Sequence, residues 1–293
     1  MEKVLLFGAN GFIGKNLVES LKNNKEYSFI PLTEKDCDLL KFDEVFKTIN
    51  NIKPDFIINA AYIGVDSNRD FSDDYLFNNM KINTNLLKSC IGINKIKKVL
   101  FFGSGLEYGD STLPIDENKA LCPQNVYAGI KAANSILSST LAKHWEIPLI
   151  ILKPFNLYGP YDTKSLIYIL IDAIKQNKKI ILTKGDQIRD YLYIEDLCKL
   201  VIKILASYEK TKNYESYNIG FGKPIKLKEI FNTIAEMMGK ELDYTTSLYR
   251  KNDYMHQVAD IKKIQDTISW EPEIPVKEGL EKTIEWVMDE NND

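Results

Sequence analysis

The chain has 293 residues, 44% hydrophobic and 27% charged, ordinary values for a globular protein of one large or two modest domains. Its 38 basic and 41 acidic residues leave a formal charge of −3, which argues against nucleic acid as a partner. No apolar stretch approaches membrane-spanning length. The 4 scattered cysteines (Cys37, Cys90, Cys122, Cys198) and 2 histidines (His144, His256) supply neither a disulfide framework nor a metal set, so a cytoplasmic protein with reduced thiols is expected.

The first predicted strand covers residues 4–7. Gly8-Ala9-Asn10-Gly11-Phe12-Ile13-Gly14 follows directly and opens an amphipathic helix over 12–22. A glycine-rich turn between strand and helix is the context of a dinucleotide-binding loop. Gly8 permits the tight turn, Gly11 lets the backbone approach a pyrophosphate, and Gly14 allows close helix–strand packing. Around Asn10, Phe12 and Ile13 the helix N-terminus offers free N–H groups to the anion. The second strand, 28–32, ends in Pro31-Leu32-Thr33-Glu34-Lys35. A carboxylate at this tip would hold a ribose 2′-hydroxyl, whereas a cation would accept a 2′-phosphate. With Thr33 and Lys35 at the tip and no Asp, NADP(H) is favoured and NAD(H) stays possible.

Helices are predicted at 42–49, 75–93 and 126–145, alternating with strands at 56–59, 99–103 and 149–153. Continuous apolar strands separated by helices predict an α/β fold with a doubly wound parallel sheet, buried on both faces. Ser104 follows the fourth strand. Tyr127 and Lys131, four residues apart, share one face of the next helix. If that face lines a nicotinamide pocket, the ammonium lowers the phenol's pKa and a serine hydroxyl orients the same substrate oxygen. After Pro154 turns become frequent, with helices near 165–177, 195–208, 227–238 and 276–288. Residues 1–155 are therefore expected to form the nucleotide-binding domain, with part of 190–215 returning to it, and 156–293 mainly a smaller α/β substrate lobe.

These motifs together resemble the extended short-chain dehydrogenase/reductase family in its nucleotide-sugar branch, over nearly the whole length. Gly8, Gly11 and Gly14 look like its cofactor loop in a Rossmann-type fold. Asp38-Leu39 looks like the acid–apolar pair near the adenine, and Asn59-Ala60-Ala61 and Asn79 match further cofactor motifs. Phe101 to Gly109 resembles the segment carrying the active-site Ser or Thr, and Tyr127 and Lys131 its catalytic pair. Lys153-Pro154-Phe155-Asn156-Leu157-Tyr158-Gly159-Pro160 resembles the family's Arg-Pro-x-Asn-x-Tyr-Gly-Pro stretch, with Lys in place of Arg. The resemblance implies a cofactor contact at Pro154. It also implies substrate contacts at Ser104, Leu106, Glu107, Asn156, Arg189, Arg250 and Asp253, with the arginines on a sugar-nucleotide diphosphate.

Residues absent from the pattern narrow the chemistry. Dehydratases of the branch carry an Asp-Glu pair directly after the active-site Thr, where Gly105 and Leu106 stand here. Members of the GDP-fucose synthase type use a Cys and a His to epimerise C3 and C5, and neither has a counterpart. Reduction of the C4 ketone of an NDP-4-keto-6-deoxy sugar is favoured, with a 4-epimerase holding NAD tightly as the alternative. In either case Tyr127 exchanges the proton at the C4 oxygen, Ser104 hydrogen-bonds it and Lys131 stabilises the tyrosinate. A non-catalytic nucleotide-binding protein is disfavoured because all three residues are present. By analogy a homodimer through the helices at 75–93 and 126–145 is expected, with burial of those faces inside the monomer as the competing reading.

Overall fold

The computed structural model describes residues 1–64 and 73–289. Residues 290–293, the end of the expected substrate lobe, lie outside the described residues. In the first half, β1 (Glu2–Phe7), α1 (Phe12–Leu21), β2 (Tyr27–Leu32), α2 (Phe42–Ile52), β3 (Phe56–Asn59), α3 (Asp73–Cys90), β4 (Lys98–Phe102), α4 (Val126–His144) and β5 (Leu149–Pro154) alternate as expected. A 3₁₀ turn, Gly105–Tyr108, follows β4.

Strand register explains why these segments are apolar throughout. Leu5, Phe7, Ile57, Val99, Phe101, Leu149 and Ile151 pack with residues of α2 and α3 in one core. Their alternate neighbours Val4, Leu6, Ile58, Leu100, Ile150 and Leu152 pack with Leu17 of α1 in the other. A period of two in a sheet covered on both faces makes both sets of alternate positions apolar, with Asn59, Lys98 and Lys153 as buried polar exceptions at or next to strand ends.

The second half continues with β6 (Asn156–Tyr158), α5 (Leu166–Lys175), β7 (Ile180–Leu182), β8 (Ile188–Arg189), β9 (Tyr191–Tyr193), α6 (Ile194–Ala206), β10 (Ser216–Ile219), β11 (Ile225–Lys226), α7 (Leu227–Met237), β12 (Tyr244–Thr246), β13 (His256–Gln257), α8 (Lys262–Ile268) and α9 (Val276–Met288). The parallel sheet has the order β10-β5-β4-β3-β1-β2. Its sixth strand was not among the five predicted. It pairs beside β5, Ser216 opposite Ile151, and α6 packs on α1. The remaining strands form small sheets of two or three, which with α5, α7 and α9 build the lobe.

Two connections stitch this lobe to the carboxyl edge of the sheet. Tyr254 Oη donates to Leu106 O at 3.2 Å, and Asp110 accepts from the amides of Met255 and His256 at 2.9 and 3.0 Å. At the order reversal between β1 and β3, the strand ends leave the crevice in which ligands of open α/β sheets bind.

The two-sided core sets a stability prediction. Truncating Leu152, fully buried in β5, to Ala is expected to cost about 2–5 kcal/mol. Ile181→Ala, at a side chain 75% exposed in the lobe, is expected to stay within about 0.5 kcal/mol. Denaturant midpoints of the two variants measure the difference.

Candidate active site

Gly8, at φ +81°, turns the chain out of β1 and lies so close to the Ala60–Ala61 backbone that any side chain would collide with it. Gly14 presses on the Gly8 carbonyl in the same way. Gly11 differs. Its φ is −78°, open to any residue, and a Cβ there would meet only Gly8 O at 3.4 Å. The protein itself makes no demand for glycine at 11, so the demand comes from a ligand. Gly11 also N-caps α1 without a side-chain hydrogen bond, which leaves the first-turn amides, including those of Phe12 and Ile13, facing outward for an anion. A dinucleotide pyrophosphate fits this cradle.

The crevice beside the loop is lined by Gly8, Asn10, Gly11, Thr33, Glu34, Asp38, Leu39, Ala60, Ala61, Tyr62 and Ile63 among others. Lys35 is exposed and not part of the lining. Asp36 instead takes the strand tip: its Oδ2 accepts from the Thr33 amide at 2.8 Å and the Thr33 hydroxyl at 2.7 Å. Those bonds hold its carboxyl below the usual range, so it stays anionic. Asp38 Oδ1 caps the turn at Leu40 N. Carboxylates at and beside this end of the crevice repel a 2′-phosphate and suit a ribose 2′-hydroxyl.

Asn79 lines no ligand surface. Its amide closes onto the Ile63 backbone at 2.9 and 3.0 Å and onto Tyr75 O at 3.2 Å, and it shapes the 60–63 wall from behind. Pro154 is buried at the end of β5.

At the nicotinamide end stand the three residues picked from sequence. Asn125 caps α4 by accepting from Ala128 N at 2.9 Å, which fixes the turn carrying Tyr127. Lys131, 8% exposed, donates to Phe102 O at 2.9 Å. Its Nζ lies 4.2 Å from the centre of the Tyr62 ring and 6.0 Å from that of Tyr127. The Tyr62 and Tyr127 rings meet edge to face at 5.5 Å. Burial lowers the Lys131 pKa to about 8, against the opposing pull of the Glu107 carboxylate. Ser104 Oγ accepts from Leu106 N at 3.2 Å, so its own proton is left to donate elsewhere. Sequence reasoning missed Tyr62. Its signal was its place directly after the Asn59-Ala60-Ala61 motif.

The expected substrate residues divide. Arg189 and Asp253 come together at 3.5 Å, and Gln187 Nε2 donates to Asp253 at 2.8 Å. Arg189 is 8% exposed and also donates to Ile188 O. Asn156 is tied to Asp190 O, and Arg250 is exposed on the loop before Asp253. Leu106 is half-buried in the turn after Ser104. Glu107 departs from the expectation. It is fully buried and turned into the protein, so its carboxylate does not face the crevice.

A glycine cradle at a strand–helix junction, with Ser104, Tyr127 and Lys131 at the same edge of the sheet, defines a Rossmann-type dinucleotide-binding protein equipped for redox chemistry at an alcohol or ketone. The chain belongs to the NAD dependent epimerase/dehydratase family, whose model matches residues 4–220. It is 26% identical over 98% of its length to a probable GDP-L-fucose synthase of Oryza sativa, covering 92% of that protein. It is 28% identical over 92% of its length to UDP-glucuronate 4-epimerase of Thermodesulfobacterium geofontis, covering 82% of it. The fold is shared with UDP-glucuronic acid 4-epimerase of Bacillus cereus, solved with UDP-glucuronic acid and NAD, at a TM-score of 0.83, 24% identity and coverage of 97% and 98% of the two chains.

NAD is also the cofactor named with several other solved proteins of this fold. The expectation of NADP(H) from Thr33 and Lys35 is thereby overturned. The physical reason is the anionic strand tip: Glu34 lines the crevice, Asp36 is bound back onto Thr33, and Lys35 is exposed and outside the lining.

The glycines give a test. Gly11→Ala is expected to fold and melt like the parent yet lose about tenfold or more in dinucleotide affinity, equivalent to about 1.4 kcal/mol. Gly8→Ala is expected to lose stability first. Calorimetric melting and a binding titration separate the two.

Proposed function

We propose that the chain is a nucleotide-sugar-modifying oxidoreductase that epimerises an NDP-hexose at C4 with NAD. The observation that carries this reading is the make-up of the edge at β4 and α4. Ser104, Tyr127 and Lys131 supply proton transfer at one oxygen, and the neighbouring turn holds no second acid or base: Gly105 and Leu106 carry none and Glu107 is turned inward. A site so equipped can oxidise and reduce one carbon, and among the described residues this turn holds no group to remove a proton from an adjacent carbon. Similarity to the T. geofontis 4-epimerase and the carboxylates around the Thr33 tip point the same way.

Tyr127 takes the proton from the C4 hydroxyl and later returns it, while Ser104 donates to the same oxygen throughout. Lys131 keeps the tyrosinate accessible near neutral pH through its buried positive charge. Arg189, held by Asp253, is placed to receive a diphosphate. The nicotinamide, when bound, supplies the hydride acceptor and donor. The likeness to GDP-L-fucose synthase over 98% of the chain supports a second reading, net reduction of a C4 ketone.

The first test is the cofactor content of the purified protein. NAD released on denaturation, with interconversion of two NDP-hexoses and no added cofactor, is the expected outcome. Stoichiometric oxidation of NADH by an NDP-4-keto-6-deoxy sugar, without interconversion, would make the protein a reductase. Tyr127→Phe is expected to lower kcat by about 10²–10⁴-fold while NAD stays bound. Turnover is expected to fall as pH rises through about 8, because Lys131 then loses its positive charge beside Tyr127.

A second copy of the chain is the proposed partner for α3 and α4. Phe77 (59% exposed) and Ile136 (58% exposed) stand on these helices. Light scattering is expected to give a dimer, and Phe77→Asp with Ile136→Asp a monomer.

A further inference from the structure

Inside the core, beneath the site, lies a pair of opposite charges that the proposed chemistry does not use. Glu107 is 0% exposed and Lys153 4% exposed. Glu107 Oε2 stands 3.1 Å from Lys153 Nζ, an ion pair more than an aligned hydrogen bond. Its other oxygen accepts from the Ser104 amide at 2.8 Å and the Ser135 hydroxyl at 2.9 Å. Lys153 Nζ also sits 4.3 Å from the centre of the Tyr108 ring. Gly103 gives this cluster its room, since a Cβ there would run into Glu107 and Lys153.

A buried ion pair is a poor way to gain stability. Removing two charges from water costs several kcal/mol each, and apolar residues of the same volume commonly do as well or better. What the pair does have is position. The stretch Phe102-Gly103-Ser104 is gripped at both ends: Lys131 binds the carbonyl of Phe102 and Glu107 binds the amide of Ser104.

We propose that Glu107 is a positioning residue for the active site, its carboxylate fixing the Ser104 main chain and setting the electrostatics around Lys131, with Lys153 as its counter-charge in the core. The proposal rests on the C4 chemistry above. The groups around the Lys131 ammonium are the Phe102 carbonyl and the Tyr62 and Tyr127 rings, and the Glu107 charge acts on it from within the core, with Lys153 paired to that carboxylate. Of these only Glu107 carries a negative charge, and it opposes the fall that burial imposes on Lys131. The Ser104 hydroxyl depends on the same carboxylate, because Glu107 and Ser104 cap the 3₁₀ turn reciprocally.

The test compares the parent, Glu107→Gln and the double variant Glu107→Gln/Lys153→Met. Gln keeps an oxygen for Ser104 and Ser135 and removes only the charge. The double variant leaves no unpaired charge and serves if the single variant folds poorly. Carbon-13 NMR of lysine labelled at Cε follows the titration of Lys131, assigned by its loss in Lys131→Met, and needs no substrate. The expected result is a Lys131 midpoint lowered by about one pH unit in Glu107→Gln, partly recovered in the double variant but still below the parent. The high-pH limb of kcat is expected to move with the midpoint at unchanged KM. A midpoint that is the same in all three proteins overturns the proposal and leaves Glu107 a packing residue. A chain inactive on every NDP-sugar would sink the epimerase reading alone, because the lysine titration stands without turnover.

Discussion

Burial of both faces of the parallel sheet is the constraint on which the rest of the structure depends. With Leu5, Ile57, Val99 and Ile151 filling one core and Leu6, Ile58, Leu100 and Leu152 the other, the strand interiors are almost wholly apolar. The crevice is thus lined mainly from strand ends. The carboxyl edge therefore carries Gly8 after β1, Thr33 after β2, Ala60 and Tyr62 after β3 and Ser104 after β4. Helix α4 adds side chains from the flank, and it reaches the same edge because its capped first turn holds Tyr127 there and Lys131 binds Phe102 O.

Crowding the edge in this way brings charge into places that water does not reach. Lys131 is solvated by a carbonyl and two aromatic rings in place of water, and Arg189 by Asp253 and the Ile188 carbonyl. Such substitute solvation is fixed in space and needs no reorganisation as charge moves during reaction. Asn79 and Asn59 stiffen the crevice wall through their bonds to the Ile63 and Ala61 backbone. Because Tyr254 and Asp110 join the lobe to the Ser104 turn, the lobe and the carboxyl edge of the sheet are built as one piece.

What could be read from the sequence had a periodic or spacing signature. Continuous apolar runs announced the five strands from β1 to β5, and α9 fell at residues 276–288 as expected. The glycine loop and the Tyr127–Lys131 pair were legible because their spacing is their geometry. β10 was not, since Ser216-Tyr217-Asn218-Ile219 is four residues with two polar ones, made a strand only by its place beside β5. Cofactor choice failed for a similar reason: Lys35 lies nearer the strand in sequence, yet the turn brings Asp36 back onto Thr33. Glu107 read as a substrate contact through the resemblance, and only tertiary packing against Lys153 shows it to be buried.

The position of β10 bears on how the chain is made. β5 leaves its outer backbone groups unpaired until residues 216–219 arrive, after β6, α5, β7, β8, β9 and α6 have been synthesised. A nascent chain that has emerged only through β5 thus presents an apolar strand with an open edge for some sixty residues of translation. Folding of the nucleotide-binding sheet is in this way tied to the lobe in time as well as in space, and the two are a single inheritance unit that neither truncation nor domain exchange at Pro154 would divide cleanly.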